Sequence, residues 1–497
     1  MNLFQKIFLS IFNLSKNIYF EFAVIALNIQ KSAKKMSGTE KKLAVALFFV
    51  ALILISYKSY SWYIAETKIA PAIGGEYSEV VTGEIRYINP ILVQTDAEKA
   101  LSHLLFSGLV RLDGDKIMPD IATNWEATDN GKKLVFYLRK DVVFSDGQPL
   151  TANDVVATVN LIKSPDMKSP LLSTWSEVEA VADNDYQVTF TLPREYGPFI
   201  YSCNFGVLPA HLSSDLFGKK FTGSGIYQFV KVKQKGKTIT DVYLKRNPTY
   251  YANQSLVERI RFTYRSDASE AKKLFDGGKY TALSGALSDQ GKNFSFPTSK
   301  RVGLVLNTRS DKLKDKAVRQ KILENQKLDN PLQLTLTAPD SPLLKAKAEE
   351  IRDSLKDKNI EITLNLLNPV KFQDALNAKS HELLLYGFNF SYDRDPYLYW
   401  HTSQLEKNNF SGWANRNTDI LLEDARMIID GVERNKKYDQ FFDAIKGEYM
   451  AYYYDPIDFN FVVRPELKNF IPVTGNEASS RYNYIDKWYL EEKRIKK

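Results

Sequence analysis

One stretch divides this chain before any other argument applies. From Leu43 to Ile55 (LAVALFFVALILI) no residue is charged, and Tyr57, Tyr60, Trp62 and Tyr63 follow before Ala65. A helix over 43–65 would be about 34 Å long at 1.5 Å per residue, enough to cross the hydrocarbon of a bilayer. The aromatic residues stand where such a helix would leave the hydrocarbon. Lys31, Lys34, Lys35, Lys41 and Lys42 directly precede it, and a block of lysines stays on the cytoplasmic side. The expectation is therefore a cytoplasmic leader at 1–42, a single transmembrane anchor at 43–65, a tether at 66–76 containing Pro71 and Gly74-Gly75, and the rest of the chain outside the membrane. A cleavable signal peptide is the alternative, because the strictly apolar core is short. The long region before it and the lack of a small-x-small cleavage pattern favour retention. Within the leader, Phe4, Ile7, Phe8, Ile11, Phe12, Ile18, Phe22, Ile25 and Ile29 recur at helical spacing among polar residues. That pattern suits a helix lying in the membrane interface; a disordered or partner-binding leader is the alternative.

Charge sharpens the division. The net charge is +8, but residues 1–76 hold nine lysines against four glutamates, a surplus of 5 that leaves only +3 for the rest. The globular part is thus no basic platform for nucleic acid, and the excess belongs to membrane electrostatics. Cys203 is the only cysteine, so no disulfide within the chain, zinc cluster or redox pair can form. With 497 residues, two or three lobes are expected.

The stretch 89–154 carries the clearest local chemistry. Thr95 and Glu98 make a capping box, and Leu101, Leu104 and Leu105 lie on one face of the helix it opens. Asn130-Gly131 fits a hairpin turn, ahead of a strand in which Leu134, Phe136 and Leu138 alternate with Val135 and Tyr137. Asp146-Gly147 turns the chain again, and Thr151 with Asp154 caps a second helix. The succession of Asn89-Pro90, Gly108-Leu109-Val110-Arg111, Pro119-Asp120-Ile121-Ala122, Asn124-Trp125-Glu126, Phe144-Ser145-Asp146-Gly147 and Pro149 to Val155 resembles the extracellular solute-binding proteins of family 5, the receptors of ABC importers for oligopeptides, dipeptides and nickel. Lys245-Arg246-Asn247-Pro248-Thr249-Tyr250-Tyr251 matches the same family's Arg-Asn-Pro-x-Tyr-Tyr motif. Gly223-Ser224-Gly225-Ile226-Tyr227 lacks the Gly-Lys-Ser/Thr of a phosphate loop and resembles instead the family's Gly-Thr-Gly-Pro-Tyr strand start.

The resemblance implies a bilobal α/β ectodomain of the periplasmic-binding-protein type (type II, the large peptide-binding subclass) behind an N-terminal transmembrane helix. Lobe I would span 77–305, with the family's extra subdomain at about 108–205; lobe II would span 306–461, and 462–497 would return to lobe I. Lobe II is reduced, because Val318-Arg319-Gln320 is followed almost directly by the strand Leu332–Thr337, where relatives carry a substantial insertion. Independently of the family, Leu332–Thr337, a helix opened by Ser341-Pro342 with the stripe Leu344, Ala348, Ile351 and Leu355, and a strand at 360–366 read as a βαβ unit. A helix from Glu433 to about Tyr452 and a strand at Phe459–Val463 follow.

The loop Tyr386-Gly387-Phe388-Asn389-Phe390-Ser391-Tyr392-Asp393-Arg394-Asp395-Pro396 resembles the family's Gly-Trp-x-x-Asp-Tyr-x-Asp-Pro segment, whose first Asp pairs with the ligand's α-amino group in peptide-binding relatives. Here the loop is one residue longer, Phe388 replaces Trp, and the order is Tyr-Asp. Asp393 is the candidate ammonium partner; an ungapped count from Pro396 selects Tyr392, and a solvated loop cap is the alternative role for Asp393. Ser411-Gly412-Trp413-Ala414-Asn415 resembles the family's Ser-Gly-Tyr-x-Asn segment. Candidate ligand-binding residues are Thr95, Phe388, Tyr392, Asp393, Trp400, Trp413 and Asn415, with no catalytic residue, metal or cofactor expected. The implied function is capture of oligopeptides outside the membrane and delivery to ABC permease subunits, with no nucleic-acid partner. A tethered peptide chaperone or sensor, or a receptor for a metal complex, is the alternative, although His401 alone is too little for nickel. An enzyme is disfavoured: the four histidines include no HExxH helix, and no Gly-x-Ser-x-Gly elbow occurs.

Overall fold

The computed structural model describes residues 37–497 except positions 115, 213–220, 237, 391 and 473–476. The leader at 1–30 and the lysines at 31, 34 and 35 lie outside the described residues. The chain divides into two compact units, Met1–Ala70 with Glu492–Lys497, and Pro71–Glu491.

The first unit is built on α1 (Gly38–Glu66). Ser37 Oγ accepts the Glu40 N–H at 3.3 Å and the Glu40 carboxylate accepts the Ser37 N–H at 2.7 Å, a reciprocal cap that satisfies two otherwise orphaned donors. The helix is apolar around its circumference, with a mean hydropathy of 2.0 and no buried residue in its most apolar window. A helix of that kind matches a lipid surround. The tether expected at 66–76 is extended structure instead. Strand β1 (Thr67–Ala72) follows the helix directly and pairs with the last strand, β18 (Glu491–Lys496). A partner more than 400 residues away satisfies its backbone groups, which no local pattern could announce.

The second unit begins with β2 (Gly74–Thr82) and α2 (Asp96–Leu105), followed by the antiparallel pair β3 (Val110–Asp113) and β4 (Lys116–Pro119). Strands β5 (Ala122–Thr128), β6 (Lys133–Leu138), β7 (Glu179–Asn184) and β8 (Gln187–Thr191) form an antiparallel sheet in the order β5-β6-β8-β7. Asp129, Asn130 and Gly131 all take positive φ at the β5–β6 turn, as that tight reversal requires. Helices α3 (Ala152–Lys163) and α4 (Leu172–Trp175) sit between β6 and β7 in sequence.

Strands β9 (Tyr227–Lys235), β10 (Thr238–Arg246), β11 (Val257–Arg265), β12 (Ala282–Ser284) and β13 (Lys292–Leu306) complete the first half, with α5 (Ala268–Leu274) after β11. The second half runs α6 (Lys316–Leu323), β14 (Leu332–Pro339), α7 (Pro342–Leu355), β15 (Ile360–Leu367), α8 (Pro369–Ala378), β16 (Leu383–Asn389), α9 (Tyr397–Trp400), α10 (Arg416–Met427), α11 (Gly431–Gly447) and β17 (Ala451–Val463). One ten-stranded sheet passes through both halves in the order β15-β14-β16-β13-β17-β12-β2-β11-β10-β9. The expected βαβ unit is present, β14 and β15 being parallel in register from Leu332↔Ile360 to Pro339↔Leu367.

The long antiparallel pair β13–β17 joins the halves. Its register slips between Pro297 and Arg301, where Pro297 has no N–H to give to the ladder. Alternation along β13 feeds two cores, one on each side of the sheet: Leu304 and Leu306 pack with Leu336 and Ile351, while Val305 packs with Leu384, Phe388 and Tyr438. The first half has its own large core around Phe136, Trp175, Phe190 and Ile260. Separate cores on a shared sheet give the bilobal α/β class. α11 ends at Gly447, five residues before the expected Tyr452, because Tyr449 turns at φ 55° and Ala451 already pairs with Val305.

Candidate functional site

The first half holds a cavity of about 490 Å³, within the common range for ligand pockets of about 300–1,000 Å³. Its walls are set by α2. At the start of that helix Thr95 Oγ1 accepts the Glu98 N–H at 3.2 Å, and the buried Glu98 carboxylate accepts four N–H groups, from Arg86, Tyr87, Gln94 and Thr95, at 2.8–3.1 Å. At the other end the Gly225 N–H bonds Leu105 O at 3.0 Å. A Cβ at Gly225 would lie 2.4 Å from the Leu105 carbonyl carbon, and one at Gly223 would strike the Leu105 oxygen. The glycines of the Gly-Ser-Gly segment thus serve close approach to a helix end rather than anion binding. Held at both ends, α2 presents Lys99, Ser102 and His103 to the cavity.

Other elements complete the walls. Arg111 comes from β3, Asp120 follows β4, Tyr250 and Tyr251 follow the Asn-Pro turn, and Trp175 and Tyr201 stand opposite. The Tyr251 hydroxyl donates to Asp120, which also accepts the Gly108 N–H at 3.2 Å. Among the described residues, one of the second half reaches this cavity: Tyr392 stacks on Tyr201 with 6.4 Å between centroids and 5° between planes. Glu477 ties the halves, taking Lys99 Nζ at 2.6 Å and a hydrogen bond from the Tyr392 hydroxyl.

Burial pushes the Asp120 carboxyl up to about 6 against these hydrogen bonds. Burial, reinforced by the Arg111 charge, lowers the His103 imidazole to about 4. The two shifts have opposite consequences. The unfolded chain protonates His103 first, so acidification from 6.5 towards 4 costs stability; the folded chain protonates Asp120 first, so acidification from 6 towards 3.8 adds stability. His103→Gln is therefore expected to gain roughly 2 kcal/mol over the native chain on going from pH 7 to pH 4, an amount discounted because the ring is only partly buried. Denaturant unfolding of both proteins across that range checks the sign.

Cys203 is buried, its thiol is raised well above the ordinary range by burial, and its Sγ faces Phe199 O at 3.7 Å. His103 has no hydrogen-bonded hydroxyl or thiol among the described residues.

Of the seven residues proposed from sequence, Tyr392 lines this cavity and the other six lie elsewhere. Thr95 is the helix cap just described. Phe388 and Trp400 are buried in the second-half core, where their apolar surface is worth most, and Trp400 Nε1 donates to the Tyr453 hydroxyl at 2.8 Å. Trp413 packs against the same core. Asn415 caps α10, accepting from Asn417 and Thr418 at 2.9 and 3.2 Å. Asp393 is 5% exposed and 3.9 Å from the buried Arg434 guanidinium, so its carboxylate faces a cation of the protein itself. Arg111, Asp120 and Tyr251 belong to motifs legible in the sequence, but nothing local marked them as cavity walls. Glu477 carried no signal, since its partner Lys99 is 378 residues away.

Residues 116–324 match the family model described as bacterial extracellular solute-binding proteins, family 5 Middle. The chain is 23% identical to the oligopeptide-binding protein AppA of Bacillus subtilis over 512 aligned residues, covering 84% of this chain and 92% of that protein. The structure of that AppA in complex with a nonapeptide superposes with a TM-score of 0.66 at 20% identity, covering 85% of this chain and all of that one. NikZ from Campylobacter jejuni, in complex with Ni(L-His), superposes with a TM-score of 0.67 at 21% identity, covering 83% and 99%.

Proposed function

Because this chain is an extracellular solute-binding protein of family 5, we propose that it captures oligopeptides outside the membrane, held by α1, and passes them to an ABC permease. The observation that carries this reading is the meeting of Tyr392 with Tyr201, Lys99 and Glu477 at one cavity. Closure of two halves around a ligand needs contacts that exist only when both halves reach it. Tyrosine rings on both sides supply surface that tolerates varied side chains, and Arg111 supplies a cationic group for a peptide carboxylate. Lys41 and Lys42, near the start of α1, support a cytoplasmic N-terminal side.

A second reading keeps the receptor and changes the cargo. Asp393 already faces Arg434, which favours a ligand that offers no ammonium to that loop, such as a metal complex or another small anion. Native mass spectrometry of the full chain released from nanodiscs separates the two. Copurifying masses that sequence as peptides, with affinity lowered about tenfold or more by Tyr392→Ala, support peptide capture. Peptide-free protein that ignores tri- to nonapeptides yet shifts its Tm with nickel–histidine supports the second reading.

A further inference from the structure

The first unit carries a feature that ligand capture does not use. α1 runs without a break into β1, and β18 lies beside β1 from the helix end onward. The Lys497 N–H bonds Glu66 O at 2.9 Å, Arg494 donates to Thr67 Oγ1 at 3.1 Å, and its guanidinium lies 6.0 Å from the Tyr63 ring. Lys68, Lys493, Arg494, Lys496 and Lys497 thus lie on the two strands that leave this end of the helix, which carries the exposed Tyr57, Tyr60, Trp62 and Tyr63. None of these five cations forms an ion pair among the described residues. Against them stand three acids on the same segments, Glu66, Glu491 and Glu492.

Length places this cluster in a bilayer. A hydrocarbon layer of about 30 Å takes about 20 helical residues. Counted from Leu43, the first uncharged residue, it ends near Trp62 and Tyr63. Glu66 and Thr67 then fall within the headgroup layer, roughly 5–8 Å deep on each side, with Lys68 at its outer edge. Lysine and arginine at that depth, next to an aromatic belt, meet lipid phosphates.

We propose that β18 and β1 form a basic clip at the outer end of the membrane helix that binds the phosphates of anionic phospholipids. The clip also ties the last strand to the anchor. This inference rests on the reading of α1 as a retained membrane span.

The test uses the full chain and the exposed-site variant Lys68→Gln/Lys493→Gln/Lys496→Gln. Each is reconstituted into nanodiscs of equal phosphatidylglycerol and phosphatidylcholine, and the lipids retained on release are counted by native mass spectrometry. The native chain is expected to retain phosphatidylglycerol several-fold over phosphatidylcholine, and the variant to lose that preference with an unchanged Tm. Equal retention of both lipids by the native chain, or a preference unaltered in the variant, overturns the proposal. Membranes from expressing cells are also extracted with alkaline carbonate. Release of the native chain there overturns the anchor reading and this proposal with it, whereas retention without lipid preference overturns the clip alone.

Discussion

Glu79→Ala is expected to destabilise the second unit by about 3–5 kcal/mol, the cost of leaving a buried charge without its partner. Glu79 is fully buried on β2 and accepts three hydrogen bonds: Arg481 Nη2 at 2.9 Å, and the Tyr77 and Tyr482 hydroxyls at 2.6 Å each. Arg481 is equally buried and lies over the rings of Phe459, Phe461 and Tyr482 at 4.3–5.6 Å. Removal of the carboxylate strands a guanidinium and two phenols in an aromatic core. Burial holds both the Tyr77 and the Tyr482 hydroxyl well above the ordinary range, which disfavours either phenol as a substitute anion. A domain stable by about 5–15 kcal/mol loses a large share of that margin. The double variant Glu79→Leu/Arg481→Met should recover part of the loss, since an apolar pair removes both desolvation costs. Urea unfolding of the three proteins measures this. A single variant within 1 kcal/mol of the native chain would show that the pair does not behave as a buried ion pair.

The second large effect is expected on ligand capture rather than on folding. Gly197 lies in the 3-10 segment Gly197–Asn204 of the first half and packs on the turn between α10 and α11 in the second. A Cβ there would strike the Ile428 carbonyl oxygen, with its carbon only 2.6 Å away. That carbonyl cannot yield easily, because Arg434 Nη1 donates to Ile428 O at 2.8 Å and to Ile429 O at 3.1 Å while buried itself. Gly197→Val should therefore part the halves at this seam, where Arg426 also lies 4.8 Å from the Tyr196 ring. Each half keeps its own core, so Tm should move by only a few degrees. Affinity should fall at least tenfold, about 1.4 kcal/mol, in titrations read by tryptophan fluorescence or calorimetry. Unchanged affinity would mean that ligand is held without this contact.

Much of the fold was legible because its signals are local. Thr95 with Glu98 and Thr151 with Asp154 sit three residues apart, and Asn130-Gly131 turns where positive φ is needed. The alternation in 332–337 and 360–366 produced a parallel pair in the expected order. The loop at 386–396 shows the opposite case. Phe388 and Asp393 sit in a segment with a recognisable pattern, yet one ring went to the core and the carboxylate to Arg434. Hydrophobic transfer and charge pairing act on whichever groups the fold brings together, and a motif does not state its distant neighbours.

By itself, then, the sequence determined the apolar helix, the caps, the turns and the strand periods, because each depends on residues within one turn or one pleat of each other. Tertiary structure alone decided that Lys99 meets Glu477, that Glu79 meets Arg481 and that β18 returns to β1. Those contacts span 378 residues and more. They form because a buried charge or an unpaired strand must find a partner somewhere, and only the folded chain says where.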